Sequence, residues 1–276
     1  MVATATLLRD MVAGWRRAGQ SVGLVPTMGA LHAGHLSLVS ASLGENDRTV
    51  VSIFVNPLQF GPAEDFERYP RNLEQDLQAL DGLGVDTVFA PTVAEMYPPG
   101  ATTRVRVAGL GEVLEGAHRP GHFEGVATAV TKLFWAARPD RAYFGQKDAQ
   151  QAALISRLAA DLGTGIGVRI CPIVREPDGL ALSSRNAYLD PESRRAALVL
   201  SRSLRLADDA YLGGEHDPPV LRQLIQRELA GEPLVRTDYA ELVDPDDFRT
   251  PGRLAVLAAT VGTTRLIDNL LLGDRL

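Results

Sequence analysis

The chain is poor in cysteine and in lysine. Its 276 residues include one cysteine, Cys171, and its 28 basic residues include only Lys132 and Lys147 as lysines, the rest being arginine. A single cysteine excludes an intrachain disulfide and any cysteine-rich metal site. It lies in the apolar run GVRICPIV, which makes it an expected core residue rather than a nucleophile. No apolar run approaches the ~20 residues that a bilayer-spanning helix requires. No basic block offsets the net charge of −6, which excludes a general nucleic-acid binder. A phosphate site needs only a few local donors, so a nucleotide substrate stays open. The shortage of lysine also points somewhere. A chain this biased toward arginine keeps lysine where a compact ammonium on a flexible stem is required.

With 45% hydrophobic and 22% charged residues, the composition suits a soluble globular protein, and the length suits two modest domains. Near the start, Leu7, Leu8, Met11, Val12 and Trp15 fall on one helical face, with Arg9, Asp10, Arg16 and Arg17 among them. This reads as an amphipathic helix and not as a secretion signal, so a cytoplasmic protein is expected. Up to residue 175, short β-rich runs at 21–25, 49–55, 86–90, 141–144 and 168–174 alternate with helical patterns at 35–43, 72–83, 124–137 and 149–162. That alternation predicts an α/β fold, a doubly wound parallel sheet (Rossmann-like) covered on both faces, over residues 1–175. Residues 103–107 read as a peripheral strand. Beyond the EPDG turn the pattern changes. One helix starts with Asp190 as N-cap and Pro191 at its first position, and a second runs over 219–230. Three strands with hairpin spacing follow, predicting a smaller α+β domain over residues 176–276. No internal repeat or low-complexity segment is present.

In an open parallel sheet ligands bind outside the carboxyl ends of the strands, so the segments just after each strand are where chemistry is sought. VGLVPTMGALHAGHLSLV is a strand, a turn and a helix start. Gly29 and Gly34 let a ligand approach the backbone, the helix N-terminus offers N–H groups to phosphate, and His32 and His35 add two hydrogen-bond donors. Zinc suits the pair less well, because no third ligand is evident. After the second strand, Asn56 and Gln59 supply neutral amides suited to a small hydroxy acid. The stretch that follows, with Gly61, Pro62 and Pro70, reads as a mobile cover. Arg119 and His122 precede the helix that carries Lys132. In AYFGQKDAQQ, Gly145 permits close approach, Lys147 supplies a mobile charge and Asp148 is placed to cap the next helix. Ser183, Ser184 and Arg185 suit a triphosphate tail, since a guanidinium forks across two oxygens.

The first of these segments resembles the HxGH signature of the nucleotidylyltransferase superfamily, which includes class I aminoacyl-tRNA synthetases. Within it, PTMGALHAGHLSLV is similar to the pantothenate synthetase family, and the other four segments agree in the same order. The resemblance is strong over residues 21–190. The C-terminal third rests on order, length and the TTRLIDN strand. It implies an enzyme that condenses pantoate with β-alanine through a pantoyl adenylate, consuming ATP and releasing AMP and pyrophosphate. It also implies a homodimer, Mg²⁺ held mainly through the ATP phosphates with no metal ligands assigned in the chain, and no nucleic-acid or membrane partner. His32, His35 and Lys147 would be catalytic, neutralising charge together with Arg185 and Mg²⁺. ATP would contact Met28, Gly29, Ala30, Leu31, His32, Ala33, Gly34 and His35, then Gly145, Gln146, Lys147 and Asp148. Val174 would meet adenine through its backbone, and Leu182, Ser183, Ser184 and Arg185 would be the counterpart of the KMSKS loop. Pantoate would contact Gln59 and Gln151, with Asn56, Arg119 and His122 on the same side. Gln146 departs from a commoner glutamate, and Leu182 from a commoner methionine, a volume-conserving change. The C-terminal domain would act as a lid over ATP. Two alternatives are a nucleotidylyltransferase that keeps the nucleotide in its product, and a non-catalytic nucleotide-binding module, which would have no use for the two histidines and Lys147.

Overall fold

Most of the short apolar runs become strands, and amphipathic stretches between them become helices. A computed structural model describes residues 1–62 and 64–274. In chain order, helix α1 (Ala5–Arg17) precedes strand β1 (Val22–Thr27), followed by α2 (Ala33–Glu45), β2 (Arg48–Ile53), α3 (Leu73–Leu80) and β3 (Thr87–Phe89). The short helices α4 (Val93–Met96) and α5 (Glu115–His118) lead to α6 (His122–Ala137), β4 (Arg141–Gly145), α7 (Ala149–Asp161) and β5 (Gly167–Cys171). These five strands pair in parallel in the order β3-β2-β1-β4-β5. That is a doubly wound sheet with its switch point between β1 and β4.

The period-2 alternation of a strand sends neighbouring side chains to opposite faces, and both faces here are covered. Leu24, Val50, Ala142 and Phe144 join Leu8 and Val12 of α1, Val126 of α6 and Ile155 of α7 in one core. Val25, Val51, Val88 and Tyr143 meet Val39 of α2 and Leu80 of α3 in another. Two-sided burial is why these strands read as nearly continuous apolar runs. On α1 the buried stripe is narrower than its sequence pattern suggests: Leu8 and Val12 are buried while Leu7 is exposed.

Three expectations fail locally. The last strand ends at Cys171, because Pro172 has no N–H to continue the ladder, and residues 172–174 run on past the sheet. Cys171 is therefore half-buried on an edge strand, not a core residue, and its partial burial raises the thiol pKa. Residues 103–107 form no strand, since the Val105 N–H donates to the Thr128 hydroxyl at 2.9 Å instead of to a neighbouring chain.

The C-terminal part holds α8 (Pro191–Ala196), α9 (Leu198–Leu212) and α10 (Pro218–Ala230), then an antiparallel sheet of β6 (Val235–Val243), β7 (Leu254–Val261) and β8 (Thr264–Leu271). Asp190 caps α8, its carboxylate accepting from the N–H groups of Glu192 and Ser193, with Pro191 at the first position. The single helix expected here is two, broken at Ala197. No glycine or proline marks that break. One face of the small sheet packs Leu257, Leu266 and Leu270 with α9 and α10. On the other face Leu254 and Val256 join the core of the parallel sheet. This brings β8 against the turn that follows β4.

Candidate active site

The main cleft opens at the carboxyl ends of β1, β2, β4 and β5, where the chain leaves each strand and turns toward a helix. His32 is the N-cap of α2, and the two histidines tie that helix start together. The His32 ring accepts from the Gly34 N–H through Nδ1 at 3.2 Å, and the His35 ring accepts from the His32 N–H through Nδ1 at 3.3 Å. With Nδ1 acting as acceptor, a neutral ring carries its proton on Nε2. The rings lie 4.1 Å apart between centroids. Burial, reinforced by His32, pushes the His35 pKa down to about 3. Burial and then Lys147 lower that of His32 as well. The pair therefore offers two neutral N–H donors and no positive charge, which is narrower than the charge-neutralising role expected of both histidines.

Gly29 and Gly34 both make room for the protein's own side chains, and of the two Gly34 also lines the cleft. A Cβ at Gly34 would lie 2.9 and 3.0 Å from atoms of the His32 ring, so the missing side chain makes room for the imidazole cap. Gly29 has φ 83°, and a Cβ there would lie 2.7 Å from a carboxylate oxygen of Asp76. Asp76, buried on α3, takes the N–H groups of Ala30 and Leu31 at 3.1 and 2.7 Å. Gly29, Ala30, Leu31 and Ala33 thus lie outside the cleft lining, whereas Met28, His32, Gly34 and His35 belong to it. The His32 and Gly34 N–H groups are thus taken by imidazoles and the preceding turn by a carboxylate.

Gly145, Lys147 and Asp148 line the cleft after β4. The Lys147 ammonium lies 3.8 Å from the Asp148 carboxylate. Asp148 is the N-cap of α7 by position, but its side chain makes no capping hydrogen bond. Gln146 is outside the lining, its amide 3.5 Å from that of Asn269 on β8. Across the cleft, the Leu182 N–H donates to the Val174 carbonyl at 2.9 Å, which brings those two segments together. Ser183 caps the next turn by accepting from the Arg185 N–H at 3.2 Å, and the Ser184 hydroxyl lies 3.4 Å from that of Tyr69. Arg185 is held in a two-pronged ion pair with Asp65, at 3.0 and 2.9 Å.

Gln59, Asn56, Arg119, His122 and Gln151 all line the same cleft. Asn56 is buried and its amide is fully used by the protein. Its Nδ2 donates to Gln59 Oε1 and the Gly125 carbonyl, and its Oδ1 accepts from the Leu58 N–H and the Tyr97 hydroxyl. It therefore orients Gln59 and has no hydrogen-bonding position left for a ligand. Arg119 forks onto Glu64 at 2.7 and 2.6 Å. The His122 ring donates from Nδ1 to the Gln59 carbonyl at 2.8 Å and receives Arg119 at Nε2 at 3.2 Å. Burial and then the Arg119 charge lower its pKa to about 4, so this ring is neutral too. Close packing of α6 on this turn requires Gly125, where a Cβ would lie 2.3 Å from the Leu58 carbonyl oxygen.

The model of the Pantoate-beta-alanine ligase family matches residues 1–271. This chain belongs to that family. It is 53% identical over 277 residues to the pantothenate synthetase of Moorella thermoacetica, covering 99% of this chain and 98% of that protein. It is 51% identical to that of Acetivibrio thermocellus, covering 98% of each. Among solved structures, a pantothenate synthetase from Thermus thermophilus superposes with a TM-score of 0.92 at 46% identity, covering 98% of each chain. A pantoate-beta-alanine ligase from Francisella tularensis, complexed with beta-gamma ATP and beta-alanine, gives 0.83 at 35% identity, covering 98% of this chain and 96% of that one. The chain is accordingly an enzyme of the class that joins pantoate to β-alanine at the expense of ATP.

Several residues that shape this ligase cleft carry no motif. Glu64 and Asp65 hold the two guanidiniums, and two adjacent acids in a loop between basic motifs were the available signal. Asp76 holds the turn before His32, but on the sequence it is one polar position of an amphipathic helix. Glu115 and Asn269 sit at the second crevice, where the small sheet meets the large one. Glu115 carries no local signal, and Asn269 closes the TTRLIDN segment, which pointed to the family but not to a contact with the cleft.

Proposed function

We propose that His32, His35, Lys147 and Arg185 carry the adenylation half of the ligase reaction, and that Gln59 and Gln151 hold pantoate beside them. The observation that carries this reading is one cleft lined by two neutral imidazoles, a lysine, an arginine and the two amides. The pantoate carboxylate attacks the α-phosphorus of ATP, the bond to pyrophosphate breaks, and pantoyl adenylate forms. An ionised carboxylate needs no base. It needs the phosphoryl charge to be stabilised, by hydrogen bonds from the two Nε2–H groups and by the charges of Lys147 and Arg185. The amine of β-alanine then attacks the acyl carbon and AMP leaves. Residues 176–276 complete the phosphate side with Leu182, Ser183, Ser184 and Arg185, and close over ATP.

Among the described residues no three His, Cys, Asp or Glu side chains gather into a metal cage. Mg²⁺ keeps several waters and binds readily through substrate phosphates, so this cleft suits an ion that arrives on ATP, where it offsets phosphate charge. Among the described residues no helix is long and apolar enough to cross a membrane, and the enzyme would work in the cytoplasm as a homodimer.

The test is product analysis by mass spectrometry with ATP, pantoate and β-alanine, omitting each in turn. Pantoyl adenylate and pyrophosphate are expected without β-alanine, and free AMP with pantothenate when it is added. A product that retains the nucleotide after amine addition would overturn the reading.

A further inference from the structure

Asn269 lies on β8, far along the chain from the cleft motifs, and is 2% exposed. Its side-chain amide is directed at the turn that carries Lys147. Nδ2 donates to the Gln146 carbonyl at 2.9 Å and to the Lys147 carbonyl at 3.0 Å. The residue itself is held from two sides. β8 pairs with β7 in a register that sets Asn269 opposite Val256. The Asn269 N–H is taken at 2.8 Å by Asp268, which is in turn gripped by Arg175 at 2.7 and 2.9 Å.

Two adjacent carbonyls pointing to one spot need a group with two N–H donors on one atom. Asparagine provides that, aspartate is an acceptor when ionised, and serine has a single donor. The turn has need of it, because Asp148 gives it no side-chain cap. Lysine carries its charge on a flexible stem, so the volume its ammonium can sample is set by where its backbone is anchored. We infer that Asn269 is a positioning residue for Lys147, anchoring the backbone of that turn from the C-terminal sheet so that the ammonium reaches the phosphates. The inference rests on the role given to Lys147 in adenylation.

A buried amide can also be satisfied for stability alone, and the experiment separates the two cases. In the full-length enzyme, pantoyl adenylate formation is measured in single turnovers across a range of ATP for Asn269→Asp, Lys147→Ala and the double variant, with pantoate affinity and thermal midpoint alongside. Asn269→Asp, nearly isosteric, is expected to slow adenylation at least about tenfold, part of the roughly hundredfold that a misplacement of about 1 Å costs. Pantoate affinity should stay within about twofold of normal. In the Lys147→Ala background the same change should cost no further rate, because the group it positions is gone. An equal loss in both backgrounds, or a normal rate in Asn269→Asp, would overturn the inference while leaving Lys147 its role. A normal rate in Lys147→Ala would overturn that role and the inference with it. Should Asn269→Asp fail to fold, Asn269→Ser retains one donor and must show a smaller loss with the same dependence on Lys147. Additive loss there overturns the proposal equally.

Discussion

Arg265 on β8 grips the carboxylate of Glu115 on α5 through both oxygens, at 2.7 and 2.8 Å. Glu115 is also 3.3 Å from Arg119 and accepts from the Tyr239 hydroxyl at 3.2 Å, while Arg265 reaches Asp238 at 2.7 Å. The small sheet is thus tied by charge to the helix turn that presents Arg119 to the cleft. Against the burial that would raise it, Arg265 and Arg119 hold the Glu115 pKa down at about 2.

Removing one partner of such a pair leaves the other charged and buried. Arg265→Ala should lower stability by about 3 kcal/mol, the scale for a broken buried ion pair, and should also raise KM for pantoate by loosening Arg119. Denaturant unfolding and steady-state kinetics check both. A stability loss with unchanged pantoate KM would show that the pair braces the fold without reaching the cleft.

His35 is neutral down to a pH of about 3. Its ionisation should therefore leave no limb in the adenylation profile of the free enzyme between pH 5 and 8. His35→Ala should lower single-turnover adenylation roughly a hundredfold, as for one lost oxyanion donor.

The same pKa shifts set a stability slope. His35 and His122 stay neutral when folded, with pKa values of about 3 and 4, but protonate near 6.5 when unfolded. The unfolded chain binds more protons in between, so stability falls as pH drops from about 6.5 toward 4. Urea midpoints at pH 7 and pH 5, above most carboxylate titration, should differ. The difference should shrink in His35→Gln and in His122→Gln. An unchanged difference in both variants would mean the rings are not held neutral.

Lys147→Arg should be nearly as damaging to adenylation as Lys147→Ala, because a planar fork fits poorly where a compact ammonium must follow moving phosphates. A solvated lysine would tolerate both changes. A lysine acting only as bulk charge would be rescued by arginine. Single-turnover rates of the two variants separate the three cases.

Asp65 occupies Arg185 with the same two-pronged geometry that a phosphate would use. If Arg185 binds ATP as proposed, the nucleotide has to exchange with a carboxylate already in place. Asp65→Asn should weaken that competition and tighten ATP several-fold, measured as a Kd by calorimetry. Weaker ATP binding would mean that Asp65 aims Arg185 rather than competing for it.

The parallel sheet was legible because its strands are buried on both faces, and that burial writes itself as apolar runs such as Val22–Thr27 and Arg48–Ile53. Motifs just after those runs pointed to the cleft because strand ends converge there. What could not be read were contacts between distant segments. Gly29 and Gly34 signalled a close approach, but not that Asp76 and the His32 ring are among the groups that approach. Asn56 looked like a ligand group because its four protein partners include Gly125 and Tyr97, 69 and 41 residues away. The break at Ala197 has no local signal, and the absent strand at 103–107 reflects the Val105 N–H reaching Thr128, 23 residues away.

Arg265 and Asn269 are four residues apart on one strand, so at about 3.3 Å per residue their anchoring points are roughly 13 Å apart. One holds Glu115 beside the turn of Arg119 and the other holds the turn of Lys147. A paired strand neither stretches nor slips by fractions of a residue, so β8 serves as a ruler between those two turns. Deleting one residue between these positions would turn Asn269 to the opposite face of the sheet. The turns of Arg119 and Lys147 would then lose the fixed spacing that the strand imposes on them.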